Sequence, residues 1–392
     1  MFERRLFFNL LNGLRGGQLK LLENGQELLF GESAPDGLVA TLEVQNAGFY
    51  RDAVLGGEIG MGEAYMTGHW STPDLVSLIR LAVRNANSLD QSNAWLNWLP
   101  RALNRLRHLM RSNTKEGSRE NIRRHYDLSN EFFSLWLDPS WLYSSALWQE
   151  ESETLTQAQF NKIDRACKQV ALGPNDHLLE IGSGWGSLAI HAAERYGCQV
   201  TTTTISRQQF ELAEERIARA GLQNRIRLLL EDYRELKGRF DKALSIEMFE
   251  AVGFQHYDTF FVKLTSLLHP GAPFLIQTIT MNERHFPSYI QSTDWIQKYI
   301  FPGGELSSVL EIEKSLARTG NYRLAGRKDF GLDYARTLHH WREEFHRRVE
   351  EIRALGFDRR FERMWDYYLA YCEGAFLERY IGVSQLRFVP GP

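Results

Sequence analysis

From about residue 175 to Met281 the chain alternates short apolar runs with amphipathic ones, and this rhythm limits the fold more than any other feature. HLLEIGSG, QVTTTTI, IRLLLED, FDKALSIEMFE and APFLIQTIT read as strands or their ends. SLAIHAAERYG, RQQFELAEERIARAG and a segment near 256–268 read as helices between them. Such repetition implies an α/β domain: a parallel sheet, helices on both faces, and a ligand at the strands' C-terminal ends.

The first of these strands runs into Gly182, Gly184 and Gly186, preceded by Glu180. A glycine loop between strand and helix lets the backbone pass close to a ligand and aims the helix N-terminus at an anionic group. A dinucleotide fingerprint would place its third glycine at 187, where Ser187 stands. The GxGxG spacing with an acidic residue two before it is that of S-adenosylmethionine methyltransferases. A nucleotide site and a purely structural turn are the other readings. The second strand ends TTTTISRQQ, without the acidic residue that usually holds a ribose.

Around this core the chain is mixed. At 392 residues it suggests two or three domains of about 150 residues each. Lys and Arg total 46 against 49 Asp and Glu, a net of -3, which excludes a generally basic nucleic-acid binder. The apolar runs fall short of the roughly 18 residues of a membrane span, and those at the N-terminus are too short for a signal sequence. Cys167, Cys198 and Cys372 form no CxxC, pointing to a reducing cytoplasm and no zinc or other metal site. Residues 1–92 read as a small α+β domain: Asn24-Gly25 marks a hairpin, Leu38-Ala40-Leu42-Val44 alternate as a strand, and 73–83 have helical spacing. In 95–111, Leu99, Leu103, Leu106 and Met110 share a stripe, with Arg101, Arg105 and Arg111 largely opposite. That pattern suits either an interfacial helix on an anionic membrane or a helix docked with a solvated face. A polar stretch, 113–120, completes a 93–120 linker, and 121–392 read as the catalytic domain. Residues 282–320 interrupt the rhythm, 334–380 are helical and rich in Trp and Tyr, and SQLRFVP closes as a last strand.

NIRRHYDLSNEFFSLWLDPSWLYSSALW, LLEIGSGWGSLA, TTTISRQQ, EDYREL, SIEMFEAVG, YIFPGGELSS and DYARTLHHW occur in that order. Together they resemble the cyclopropane fatty acid synthase family, which includes the mycolic acid cyclopropane synthases, over roughly 118–392. The first hundred residues are similar to the N-terminal domain of the longer bacterial members that act on phospholipids. The resemblance implies a class I S-adenosylmethionine methyltransferase fold, Rossmann-like with a mostly parallel sheet, and a helical lid (about 282–380) over an acyl pocket. It implies transfer of the sulfonium methyl to the double bond of an unsaturated phospholipid acyl chain, proton removal, and closure of a three-membered ring. It further implies a cytoplasmic protein associated peripherally with the inner face of the membrane, and a homodimer. A small-molecule methyltransferase and a catalytically inactive lipid-binding protein are the alternatives.

Residue by residue, the resemblance puts Tyr143, Ser144 and Ile246 on the cofactor, and Gly182, Gly184 and Gly186 along its methionine end. Thr204, Ile205 and Gln209 would hold the ribose side, and Asp232 and Tyr233 would flank the adenine. Tyr and Trp faces can steady a carbocation without attacking it, and 334–371 offer Tyr334, Trp341, Trp365, Tyr367 and Tyr371. Helix packing is the plain reading for most of these, with Tyr334, in the family's DY motif, the exception. The resemblance also implies a bicarbonate ion as base, held by Glu250 of FEAVG with Ser145, Gln277, Ile279 and Tyr334. Two of these depart from the usual pattern: Ser145 replaces a Cys and Gln277 a His. Both still offer hydrogen bonds to a small anion, although the imidazole that titrates near neutrality is gone. Loss of the proton elsewhere on the chain would give a methylene- or methyl-branched product, or a furan precursor. Cys372 matches a cysteine often marked as catalytic, with no helix N-terminus or adjacent imidazolium evident to make it a thiolate.

Overall fold

The computed structural model describes residues 2–86 and 128–391. The basic segment 95–111 and the linker 113–120 lie outside the described residues. These residues divide into two compact units. One gathers residues up to 86 with Gln291–Ile300 and Leu338–Tyr380; the other gathers 128 to Ile290 with Phe301–Thr337 and Ile381 onward. Parts of the expected lid region thus group with the N-terminal residues. Among the described residues no helix is long and apolar enough to cross a membrane.

In the first unit, β1 (Gly17–Glu23) and β2 (Gln26–Glu32) form a hairpin through Asn24 and Gly25, both at positive φ, the pair that a tight turn of this kind favours. β3 (Val39–Val44) runs parallel to β1, burying Ala40 and Leu42, and β4 (Trp70–Ser71) pairs with β3. The helix Leu75–Arg84 is capped by Asp74, whose side chain accepts from the Ser77 amide, and it buries Leu75, Leu78, Ile79 and Leu81. A Cβ at Gly62, in the kinked helix Gly48–Met66, would meet the Trp295 indole at 2.4 Å, so only glycine admits that ring. The helix Arg359–Leu377 supplies Trp365 and Tyr367 to aromatic packing, with Tyr368 5.2 Å from Trp365 and Trp295 4.8 Å from Tyr367. It also carries the buried Asp366, which accepts from Tyr65 Oη (2.7 Å), Arg342 Nε (2.7 Å) and His346 Nε2 (2.9 Å).

In the second unit seven strands are ordered β10-β11-β9-β8-β5-β6-β7. β5 (His177–Ile181), β6 (Gln199–Thr204), β7 (Ile226–Leu230), β8 (Lys242–Ile246) and β9 (Phe274–Met281) are parallel. β11 (Ile381–Pro390) is antiparallel between β9 and β10 (Tyr322–Asp329). The parallel strands read from the repeat are therefore present, in the mostly parallel, Rossmann-like sheet that the resemblance implies. Successive residues face opposite ways: Leu178, Leu244 and Leu275 pack among the helices Leu155–Gln169 and Ser187–Tyr196, while Leu179, Ala243 and Phe274 pack against Tyr257–Ser266 and Val309–Thr319. Each of these buried leucines stabilises by about 1.5–3 kcal/mol. Strand order reverses between β5 and β8, and a crevice at their C-terminal ends is where such sheets bind ligands.

Candidate active site

Two loops leave the sheet at this reversal. After β5, Gly182, Gly184 and Gly186 adopt φ of 96°, 49° and 87°, a region that side chains resist. A Cβ on Gly182 would stand 2.9 Å from Met248, whereas at Gly184 nothing lies within 4 Å. The loop is held by Gly182 and Ser183 amides donating to Thr203 O, and by Arg216 Nη1 donating to Trp185 O at 2.6 Å. Glu180, just before it, is buried with one carboxylate oxygen that has no hydrogen-bond partner among the described residues, and burial pushes its pKa up to about 8. An open glycine edge, a following helix N-terminus and an unsatisfied buried carboxylate oxygen fit the carboxylate and ammonium of an S-adenosylmethionine methionine end.

The remaining residues expected at the cofactor line this same end of the sheet. Thr204 Oγ1 donates to Gln209 Oε1 at 2.9 Å and accepts from the Ser206 amide, while Ile205 between them is half-buried. This polar pair ends β6 where an acidic residue was missing. Asp232 caps its own turn and grips Arg234 with both oxygens (2.8 and 2.7 Å); Tyr233 packs edge-on to Phe260. Ile246 ends β8. Tyr143 sits among Phe133 and Trp136, and Ser144 accepts from the buried Lys162 Nζ at 2.5 Å.

After β8 stands a residue the sequence reading passed over. Glu247 has φ +48° and is partly buried. Its Oε1 accepts from the Ser145 amide (2.9 Å) and Gln277 Nε2 (2.7 Å), and its Oε2 from Tyr334 Oη (2.7 Å). Glu250, in the next turn, accepts on Oε1 from Ile279 N (2.5 Å) and Thr278 Oγ1 (3.0 Å), while its Oε2 is buried without a partner among the described residues. The structure thus brings together Ser145, Gln277, Ile279, Tyr334 and Glu250 as expected, but around two carboxylates rather than one. A bicarbonate ion does not fit here on those partners: three of its expected donors are engaged by Glu247, and a further anion would face two carboxylates. Burial raises the pKa of both, Glu250 also through the charge of Glu247. Lys162 is the buried cation that acts on Glu247, and burial lowers its pKa to about 8.

Other supports were also missed. Gln385 on β11 lies directly across from Gln277, donating to its Oε1 at 3.0 Å and to Lys162 O at 3.1 Å. Gln159 Nε2 donates to the Leu142 and Ser144 carbonyls, and Thr337 Oγ1 accepts from the Ala146 amide, tying the Tyr334 helix to the Ser145 loop. Cys372 belongs to the first unit, where burial and then Asp294 push its thiol well above the ordinary range. Such a thiol is a poor nucleophile. A buried cluster with excess negative charge can steady a cation and accept a proton, in a site where water is scarce.

The family model for mycolic acid cyclopropane synthetase matches residues 113–386. Tuberculostearic acid methyltransferase UfaA1 of Mycobacterium tuberculosis is 38% identical over 340 residues, covering 84% of this chain and 78% of that protein. Cyclopropane-fatty-acyl-phospholipid synthase of Escherichia coli is 36% identical over 352 residues, 90% of this chain and 88% of that protein. The solved structure of the cyclopropane synthase MmaA2 from Mycobacterium tuberculosis matches with a TM-score of 0.65 at 30% identity, over 69% of this chain and 98% of that one.

Proposed function

Because the chain belongs to the mycolic acid cyclopropane synthetase family, we propose that it is an S-adenosylmethionine-dependent methyltransferase that adds one carbon across the double bond of unsaturated phospholipid acyl chains, closing a cyclopropane ring. The observation that carries this reading is the meeting, at the reversal of the sheet, of a glycine loop with a buried carboxylate cluster. S-adenosylmethionine, when bound, supplies an electrophilic methyl group. Gly182, Gly184, Gly186 and the following helix N-terminus receive its methionine end, with Glu180 for the ammonium. Thr204, Ile205 and Gln209 take the ribose side, Asp232 and Tyr233 the adenine side, and Tyr143, Ser144 and Ile246 complete the surround. An alkene is a weak nucleophile, so the protein must hold it against the methyl and keep water from the cation that forms. The Glu247–Glu250 pair and the Tyr334 ring provide negative charge, carried on Glu247, and a π face toward such a cation.

Membrane access belongs to the same proposal. Lifting about ten methylenes into water costs on the order of 8 kcal/mol, so the acyl chain should pass from bilayer to protein without crossing water. The basic residues Arg101, Arg105 and Arg111 are suited to hold the protein on an anionic surface, each contributing about 1 kcal/mol.

Purified protein with methyl-labelled S-adenosylmethionine and unsaturated phospholipid vesicles, followed by NMR of the released fatty acids, tests this. High-field cyclopropane protons are expected. Vinylic or branched-methyl signals would favour a second reading, branching without ring closure, for which the 38% identity to a relative named a methyltransferase speaks. No label in the acyl chains would overturn both.

A further inference from the structure

We infer that Glu247 is the resident base of this enzyme, its carboxylate standing where the family resemblance puts a bicarbonate ion. The inference rests on the proposed ring-closing reaction and adds the group that completes it. Ser145, Gln277 and Tyr334 are the positions expected to hold the ion, and in this chain all three donate to Glu247. The two departures from the family pattern become intelligible together. Ser145 contributes its backbone amide, while its hydroxyl donates to the Ala146 carbonyl, so nothing is asked of a thiol. Gln277 is fixed as a donor toward Glu247 because its carbonyl oxygen takes the amide hydrogen of Gln385. An amide suits a carboxylate partner without itself titrating, as an imidazole would.

Backbone geometry adds an independent observation. A non-glycine residue at φ +48° is strained and persists only where its surroundings hold it. Glu247 is held by its own amide, donating to Gln277 O at 2.8 Å, and by three hydrogen bonds on its carboxylate. A carboxylate has about four acceptor positions; the hydrogen bonds among the described residues fill both on Oε1 and one on Oε2. The remaining lone pair on Oε2 is the base.

Glu250 is the competing candidate, and the charges facing the pair separate them. Lys162 acts on Glu247, whereas the largest charge effect on Glu250 is repulsion from Glu247. One proton on the pair therefore resides on Glu250 and leaves Glu247 ionised. The step balances on the substrate. With the new methyl on one alkene carbon and the cation on its neighbour, a methyl C–H bond breaks. Its proton goes to Glu247 Oε2 and its electron pair forms the third ring bond. Glu247, then a carboxylic acid, returns the proton to water before the next turnover.

The test uses the full chain with and without bicarbonate in carbon-dioxide-depleted buffer, reading ring formation on unsaturated phospholipid vesicles and bicarbonate binding by calorimetry. Wild-type ring formation should be indifferent to bicarbonate, with no binding heat. Glu247→Gly, which also suits the positive φ, should lose at least about 10²-fold in ring formation, bind bicarbonate, and regain activity with it. Glu247→Gln, an isosteric control for folding, should lose activity without rescue, and Glu250→Gln should stay independent of bicarbonate. Bicarbonate binding or dependence in the wild type, or full activity of Glu247→Gly without bicarbonate, would overturn the assignment. A wild type that labels no acyl chain would instead overturn the proposed reaction, and the calorimetric comparison would still read the site.

Discussion

Asp366 in the first unit and Glu247 in the second are both carboxylates with three hydrogen-bond donors, and their pKa values are shifted in opposite directions. Around Asp366 two of the donors carry or can carry positive charge, Arg342 and His346. Burial would raise its pKa, but the His346 hydrogen bond and the Arg342 charge outweigh that and hold it at about 2. Around Glu247 the donors among the described residues are neutral, a second carboxylate lies in the next turn, and the cation that acts on it, Lys162, must also balance Glu180. There burial wins and the pKa rises. Donor count is the same; donor charge decides whether a buried carboxylate serves as a fixed anion or as a proton acceptor.

Deletion should separate the two most sharply. Asp366→Ala leaves the Arg342 guanidinium without its partner and should cost about 3–5 kcal/mol in urea unfolding. Glu250→Gln should leave stability unchanged or raise it, since the amide stays neutral where the carboxyl must be held protonated beside Glu247. Equal losses would break the contrast. Next, Tyr334→Phe removes a hydrogen bond to a charged group and should lower kcat/KM by about 1.5–3 kcal/mol, roughly tenfold or more, with little change in unfolding. An unaltered rate would detach Tyr334 from the site.

The pH dependence should carry opposite signs. Asp366 has a lowered folded pKa, so its contribution is full above the ordinary carboxylate value near 4 and is lost as pH falls toward about 2. Glu247 and Glu250 have raised folded pKa values, so the folded state binds more protons above about 4.3, and stability falls as pH rises through that window. The slope is at most about 1.4 kcal/mol per pH unit for each group. Melting scans of wild type and Glu250→Gln should differ at neutral and basic pH and converge in acid. Last, Cys372→Ser should leave turnover within about twofold; a drop of 10² would return that thiol to the chemistry.

The periodic parts of this site were legible in the sequence, and the long-range parts were not. Alternating apolar runs give the strands, and Gly182, Gly184 and Gly186 declare a loop because only glycine is at ease at their φ. Glu250, Tyr334, Ser145, Gln277 and Ile279 were found through motifs, and the structure gathers them. Glu247 was passed over because nothing local marks it: it precedes Glu250 by three residues in SIEMFE, and its donors come from 102, 30 and 87 residues away. Lys162 reads as an ordinary charge on an amphipathic helix, and burial alone makes it otherwise. Gln385 meets Gln277 across 108 residues of sequence, through a strand pairing that only the folded register reveals. The hydrogen bonds of Asp232 to Arg234 are local, yet no periodicity predicts them.

The position of β11 sets a condition on time. It follows the other six strands of its sheet in the chain, yet it lies inside the sheet, between β9 and β10, and brings the amide that orients Gln277. While a ribosome still holds residues 381–390, β9 presents an open edge and β10 has no neighbour to pair with. The nascent chain can therefore complete its glycine loop well before its carboxylate cluster. The carboxylate cluster waits for β11 to slide home, so a chain without it holds a glycine loop and an unfinished site.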